Sequence, residues 1–173
     1  MRAHHDESNR EISLRLALNY LDQGITVINK SLQLIAWNDR FVELLDFPED
    51  LITDGISLEA LFRFNSKRGE YGDGDVETLV GDRLELAARF QSHCFDRVRP
   101  NGTVIEVKGN PIDNGNGFVT VYTDVTIERQ KQAVLKKTIA RRSTALQREA
   151  EAHQNAIAVL EESQNCIRKI TDS

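Results

Sequence analysis

From Thr126 to Ser173 the sequence contains neither proline nor glycine. Nothing in that stretch breaks a helix, and about 45 helical residues would reach some 65 Å at 1.5 Å per residue. A domain of this size has no core long enough to cover such a rod. Its apolar positions repeat instead: Ile139, Leu146, His153, Leu160 and Ile167 stand seven apart, with Ser143, Ala150, Ile157, Gln164 and Thr171 interleaved four residues after each. That is a heptad seam with polar residues set into it. Upstream, Ile127, Val134 and Leu135 follow a different register. Two readings stay open: a helix of modest stability, or a shaft able to change register. The expected assembly is a parallel homodimer.

The chain ahead of this rod changes character repeatedly. Ser8-Asn-Arg-Glu11 has the capping-box pattern, predicting a helix to about Leu21 with Leu14, Leu18 and Leu21 on one face. That leucine face is the expected second dimer contact. Ile25–Ile28 and Leu32–Ala36 read as an antiparallel hairpin turning at Asn29-Lys-Ser31. Asn38 is placed to cap a short helix from Asp39 to Leu45, and Pro48 bars its continuation. Ser57 is expected to cap a turn carrying Leu58, Leu61 and Phe62. Lys67–Gly74 reads as loop. Asp75 is the expected cap of a helix to about Phe90. Cys94–Arg99, Thr103–Lys108 and Phe118–Thr123 read as three strands, turning at Pro100-Asn-Gly102 and more loosely at Asp113–Gly117. The order predicts an α+β domain, one antiparallel five-stranded sheet with helices gathered on one face. The expected divisions are a helical cap over residues 1–22, a sheet domain over 23–126 and a signalling helix over 127–173.

At this point the residues carry a resemblance. Asp22-Gln-Gly-Ile-Thr-Val-Ile28, Leu34-Ile-Ala-Trp-Asn38 and Phe41 resemble the opening of a PAS sensor domain. Arg99-Pro-Asn-Gly102, Glu106-Val-Lys-Gly-Asn-Pro111 and Gly117-Phe-Val-Thr-Val-Tyr-Thr-Asp-Val-Thr126 resemble its close. Phe64–Gly72 fits the subgroup common in bacterial sensor and hybrid histidine kinases. The resemblance covers about residues 12–130. It implies strand order 2-1-5-4-3, and it implies that Asp124-Val125-Thr126 is the signal-transfer motif at the sheet-to-helix junction, with Trp37 and Asn38 beside it in that role. Asp124 can also act simply as a helix cap, with its charge at the positive end of the outgoing helix. Leu160–Ser173 resembles the helix leading into a further PAS domain, so a longer receptor with a downstream output domain is expected.

Charge and composition narrow the function classes. A net charge of −5 does not fit a general nucleic-acid or anionic-membrane binder. No apolar run approaches the roughly 18 residues of a spanning helix, and the polar N-terminus is no secretory signal. The expected location is the cytoplasm, where Cys94 and Cys166 stay reduced and unpaired. The basic run Lys136, Lys137, Arg141, Arg142 and Arg148 reads as a solvated face.

Candidate chemistry is sparse. Adjacent His93 and Cys94 point to opposite faces of a strand, so they are poor partners on one metal. Asp73–Glu77 fails as a calcium loop, because its sixth and twelfth positions hold Thr78 and Leu84. Haem-binding relatives take a histidine from the long helix, and residues 75–90 have none; the photoactive flavin cysteine motif is absent. No cofactor and no metal are expected, with non-covalent flavin left open. His153 in the seam is either a tolerated polar residue or, paired across a dimer, a group responsive near pH 6.5.

A ligand would sit inside the cup, walled by Phe41, Leu45, Leu58, Phe62, Leu79, Phe95, Val107 and Val119. The plainer reading is that these residues fill one another's space. The expectation is a non-catalytic sensory module of a bacterial receptor, with a sensor histidine kinase as parent. The alternatives are a ligand-free dimerisation spacer, for example in a diguanylate cyclase, and a small enzyme using His93 and Cys94.

Overall fold

The structure is a computed structural model and describes residues 13, 14, 16–112 and 117–171. The capping box at Ser8–Glu11 and the turn at Asp113–Asn116 lie outside the described residues, as does the Cys166 side chain. The chain divides into two compact units, Met1–Thr126 and Ile127–Ser173.

In the first unit, strands β1 (Gly24–Asn29), β2 (Leu34–Trp37), β3 (His93–Val98), β4 (Val104–Pro111) and β5 (Gly117–Asp124) form one sheet. Their order is β2-β1-β5-β4-β3, every neighbouring pair antiparallel. The first and last strands in sequence are thus neighbours at the centre. Between β2 and β3 run helices α1 (Asp39–Leu44), α2 (Leu58–Lys67) and α3 (Val76–Ala88).

Each helix starts where its sequence supplies an acceptor. The Asn38 side chain accepts from the Phe41 amide at 3.1 Å, that of Ser57 from Ala60 at 3.2 Å, and that of Asp75 from Thr78 at 2.9 Å. Each satisfies a first-turn N–H that the helix itself cannot. Helix α2 runs three turns to Lys67 rather than the single turn the sequence suggested, carrying Phe64 and Asn65 with it. Strand β2 begins later than expected. The Asn29 carboxamide oxygen accepts from the amides of Ser31 and Gln33, and Leu32 has a φ of 56°. The turn therefore extends past Leu32.

Pairing settles which residues share a face, since residues directly opposite in register point the same way. Thr26, Thr120 and Gly109 lie in one row, and Ile28 and Phe118 in another. These face α1 and α2, whose Phe41, Leu44 and Leu61 join Ile28, Leu34, Leu45, Ile105, Val107 and Phe118 in one buried cluster. Phe41 sits at the middle, with ring centroids 5.3 Å from Phe47 and 5.2 Å from Tyr122.

Gly109 is required by close approach. A Cβ there would collide with the rings of Phe118 and His93, which stack at 5.3 Å and 18°. His93 thus belongs to the helix-facing side and Cys94 to the other, where it is exposed and unpaired.

Helix α4 runs from Thr126 to Thr171, and all of it after Thr126 belongs to the second unit. Its apolar residues Val134, Leu135, Ile139, Leu146, Ile157 and Leu160 are exposed in the single chain. No helix among the described residues is long and apolar enough to cross a membrane.

Candidate functional site: the strand-to-helix junction and the sheet interior

The end of β5 is tied to the start of β4 through one side chain. Thr126 Oγ1 donates to Asp124 Oδ1 at 2.5 Å and accepts from the Val104 amide at 2.9 Å. The same Asp124 oxygen accepts from the Thr126 amide at 2.9 Å, and the Val125 amide donates to the Val104 carbonyl at 2.9 Å. Asp124 therefore stands one residue before the usual cap position and takes the first amide of α4. Val125 is buried between them. The Thr126 hydroxyl, with help from its amide and the nearby Arg40 charge, holds the Asp124 carboxyl below its ordinary range.

Asn38 follows β2 and sits beside the start of β1, the strand end that pairs with the last residues of β5. It is fully buried. Its oxygen accepts from the Ile25 amide at 2.8 Å besides capping α1, and its nitrogen donates to the Leu18 and Gln23 carbonyls at 2.8 and 2.9 Å. Asn19 adds a 2.6 Å bond to Asp39. One carboxamide thus joins the N-terminal segment, β1 and α1. Trp37 is partly buried beside it, opposite Thr26 in register. Leu14, Leu18 and Leu21 of the N-terminal segment are exposed.

The eight expected wall residues separate. Phe41, Leu45 and Val107 are buried in the shared core, and Leu58 packs against it. Phe62 and Leu79 are half-buried; Phe62 meets Tyr71 edge-on at 6.2 Å. One does not face the interior, and another faces it only at an open edge. Val119 pairs with Val27 and Asn110 and lies on the opposite face of the sheet. Phe95 is opposite Val107, on the helix-facing side, yet 52% exposed. Strand β3 is an edge strand, and the helices leave that part of it open.

The family described as PAS fold matches residues 18–133. The chain belongs to the PAS family. Its sheet has the PAS strand order, and the chain is a sensory module rather than a catalytic domain. No curated protein matches it. Among solved structures it is similar to the PAS domain of BvgS from Bordetella pertussis, at 17% identity over 75% of this chain and 98% of that one, with a TM-score of 0.48. It is also similar to the PAS domain of an HTR-like protein from Haloarcula marismortui, at 16% identity over 71% and 98%, TM-score 0.44. A third is a domain of a sensory box sensor histidine kinase/response regulator from Geobacter sulfurreducens, at 12% identity over 66% and 94%, TM-score 0.42.

One feature of this PAS domain was missed in the sequence. Glu70, just past α2, is buried, and its side chain is only 3% exposed. Arg99 Nε donates to Oε1 at 2.9 Å, and its Nη2 lies 2.9 Å from the same oxygen. Arg99 also donates to the Leu44 and Leu45 carbonyls at 2.8 and 3.3 Å, and pairs with Asp46 at 2.9 Å. Burial lowers the basicity of Arg99, but its bonds to Glu70 and Asp46 outweigh that and raise it. Arg68 donates to Asn65 Oδ1 at 2.7 Å and to the Leu45 carbonyl, and lies over the Phe64 ring at 4.8 Å. The ion cluster clamps the end of α1 to the end of α2 and to the β3–β4 turn. Its sequence signal was Arg97-Val98-Arg99, two like charges at strand spacing with an apolar residue between them.

Proposed function

We propose that this chain is the input module of a bacterial signal-transduction receptor, and that it passes a signal from the PAS core through Asp124-Val125-Thr126 into a dimeric helix. The parent in this reading is a sensor histidine kinase, with the output domain in the same longer chain. The observation that carries it is the double role of the Thr126 hydroxyl. One oxygen is bonded both to β4 and to the carboxylate that holds the first amide of α4. A displacement of β5 against β4 must break or strain that pair, so the start of the helix responds to the sheet. Two arrangements of near-equal energy, biased by a ligand or an upstream domain, would suffice. The exposed apolar repeat along α4 supports a partner helix, and a second copy of the same seam is the simplest partner. The leucine-bearing N-terminal segment, tied to β1 by Asn38, adds the second dimer contact.

The test uses cysteines placed singly at Leu146 and Ile157 in a Cys94→Ser, Cys166→Ser background. Disulfide crosslinking should join two copies at both sites, and Thr126→Val should change the ratio of the two yields. A chain that sediments as a monomer at tens of micromolar, or a ratio untouched by Thr126→Val, would refute transmission through this junction. Autophosphorylation of the natural full-length receptor with labelled ATP tests the kinase assignment.

A further inference from the structure

Arg97 lies on the helix-facing side of β3, opposite Ile105 in register and two residues from Phe95. Its side chain is only 14% exposed. Its Nε and Nη2 atoms are buried and have no hydrogen-bond partner among the described residues. A carboxylate oxygen of Glu70 lies 4.0 Å from Nε, beyond hydrogen-bond reach and already engaged by Arg99. Those two nitrogens form one edge of the guanidinium fork, the edge that matches the two oxygens of a carboxylate. Leaving both protons unmatched in the interior is costly, and such groups in native folds call for a functional account.

The surroundings define what would fit. The Arg97 guanidinium lies 5.8 Å from the centre of the Tyr71 ring, whose face also carries Arg83 at 3.5 Å. Tyr122 lies on the same face, in the cross-strand row that runs through Val107 to Phe95. Four guanidinium groups gather here, of Arg68, Arg83, Arg97 and Arg99, and each acts electrostatically on another. Facing them are the carboxylates of Glu70 and Asp46, with Asp82 acting on Arg83 from the exposed side of α3. Positive charge is in excess. The half-exposed Phe95 ring stands beside Arg97 on the same face, giving an apolar approach from solvent to the guanidinium.

We propose that Arg97 is the anchor of a ligand site for a small organic carboxylate with an apolar body, its oxygens on Nε and Nη2 and its body between Tyr71, Tyr122 and Phe95. A phosphate suits the place less well, because one fork and aromatic walls leave its remaining oxygens unmatched. The inference deepens the sensor reading and rests on it.

The experiment titrates the full 173-residue chain with sodium benzoate, phenylacetate and butyrate. Sodium phosphate and sodium chloride at matched ionic strength are the controls. The Arg97 Nε–H resonance in nitrogen-15 NMR and the thermal midpoint are the readouts. At least one carboxylate should move the Arg97 resonance saturably and raise the midpoint. Arg97→Gln should weaken that binding about tenfold to hundredfold, the loss of a charge-assisted pair. Arg97→Lys, keeping charge without the fork, should fall between. No saturable shift with any of the three carboxylates overturns the proposal. So does an equal shift with phosphate or chloride, or unchanged binding in Arg97→Gln. If Arg97→Gln fails to fold, the wild-type resonance and Arg97→Lys decide. Carboxylate binding that leaves the α4 crosslinking ratio unchanged would sink the transmission reading and leave this site standing.

Discussion

Replacing Thr126 with valine keeps the side chain's shape and deletes its hydroxyl, so its cost measures the junction directly. Two bonds vanish: Val104 N–H to Oγ1 at 2.9 Å, and Oγ1–H to Asp124 at 2.5 Å. Two remain: the Thr126 amide to Asp124, and the Val125 amide to the Val104 carbonyl, both 2.9 Å. The partly buried Val104 amide is left without its acceptor, which costs about 1 kcal/mol at the low end of such penalties. The bond to the solvent-exposed carboxylate adds about 0.5–1 kcal/mol. The expected loss is therefore about 2 kcal/mol. Trp37 is the chain's single tryptophan and lies in β2. Urea unfolding followed by its fluorescence reads the sheet unit and not α4. Asp124→Ala should cost about 1 kcal/mol, as loss of a cap-like acceptor does. Because the two residues share a bond, the double variant should cost less than the sum by about 0.5–1 kcal/mol.

The pH dependence has a definite sign. The folded Asp124 carboxyl is held below its ordinary range chiefly by the Thr126 hydroxyl. Such a group contributes stability that is present above its unfolded value, about 3.9, and is lost as pH falls through the lower folded value. The gap between wild type and Thr126→Val should therefore be constant near neutrality and narrow from about pH 4 downward. A Thr126→Val variant within 0.5 kcal/mol of wild type, additive costs in the double variant, or a gap that widens in acid would refute this account.

Three further outcomes follow from the packing. Glu70→Ala leaves Arg99 buried without its main countercharge and should cost about 3–5 kcal/mol, read by the same urea titration; a cost under 1 kcal/mol would mean that the arginines are satisfied by other partners. Gly109→Ala drives a methyl group into the Phe118 and His93 rings and should cost about 1–3 kcal/mol, and His93→Ala in the same chain should recover part of it. Leu146→Asp with Ile157→Asp places charge on the exposed α4 seam, and sedimentation should show a dimer of the wild type become a monomer.

The parts of the fold legible in sequence were those set by local chemistry. Asn38, Ser57 and Asp75 each announce a helix because a side-chain oxygen can reach an amide three residues on, and each does so here. Ile105 and Val107 announce a buried face because Glu106 and Lys108 alternate with them. Val119 was misplaced because Phe118-Val-Thr-Val-Tyr122 is apolar or uncharged on both sides, so alternation carries no sign. Only the register with β1 and β4 decides it. Phe95 shows a different limit. Strand spacing gives the side of the sheet correctly, but not whether anything covers it. Leu32 failed because its left-handed backbone is imposed by the Asn29 carboxamide bonding to two amides beyond it.

The buried ion cluster was hidden more deeply, and the reason bears on function. Arg68, Glu70, Arg97 and Arg99 are separated by a helix and a strand, and no spacing rule brings them together. Yet Arg97-Val98-Arg99 did carry information. On a strand the two arginines must share a face, and Val98, between them, is 66% exposed on the other. A sequence that turns its apolar residue outward and two guanidinium groups inward inverts the ordinary pattern of a half-buried strand. Arg99 resolves that inversion structurally, with Glu70, Asp46 and two helix-end carbonyls around it. Arg97 does not, since the same carboxylate is spent on its neighbour. The two arginines thus divide one inverted pattern between a structural clamp and a guanidinium whose Nε and Nη2 have no hydrogen-bond partner among the described residues. Exchanging Arg99 should therefore unfold the unit, whereas exchanging Arg97 should leave it folded in the same urea titration.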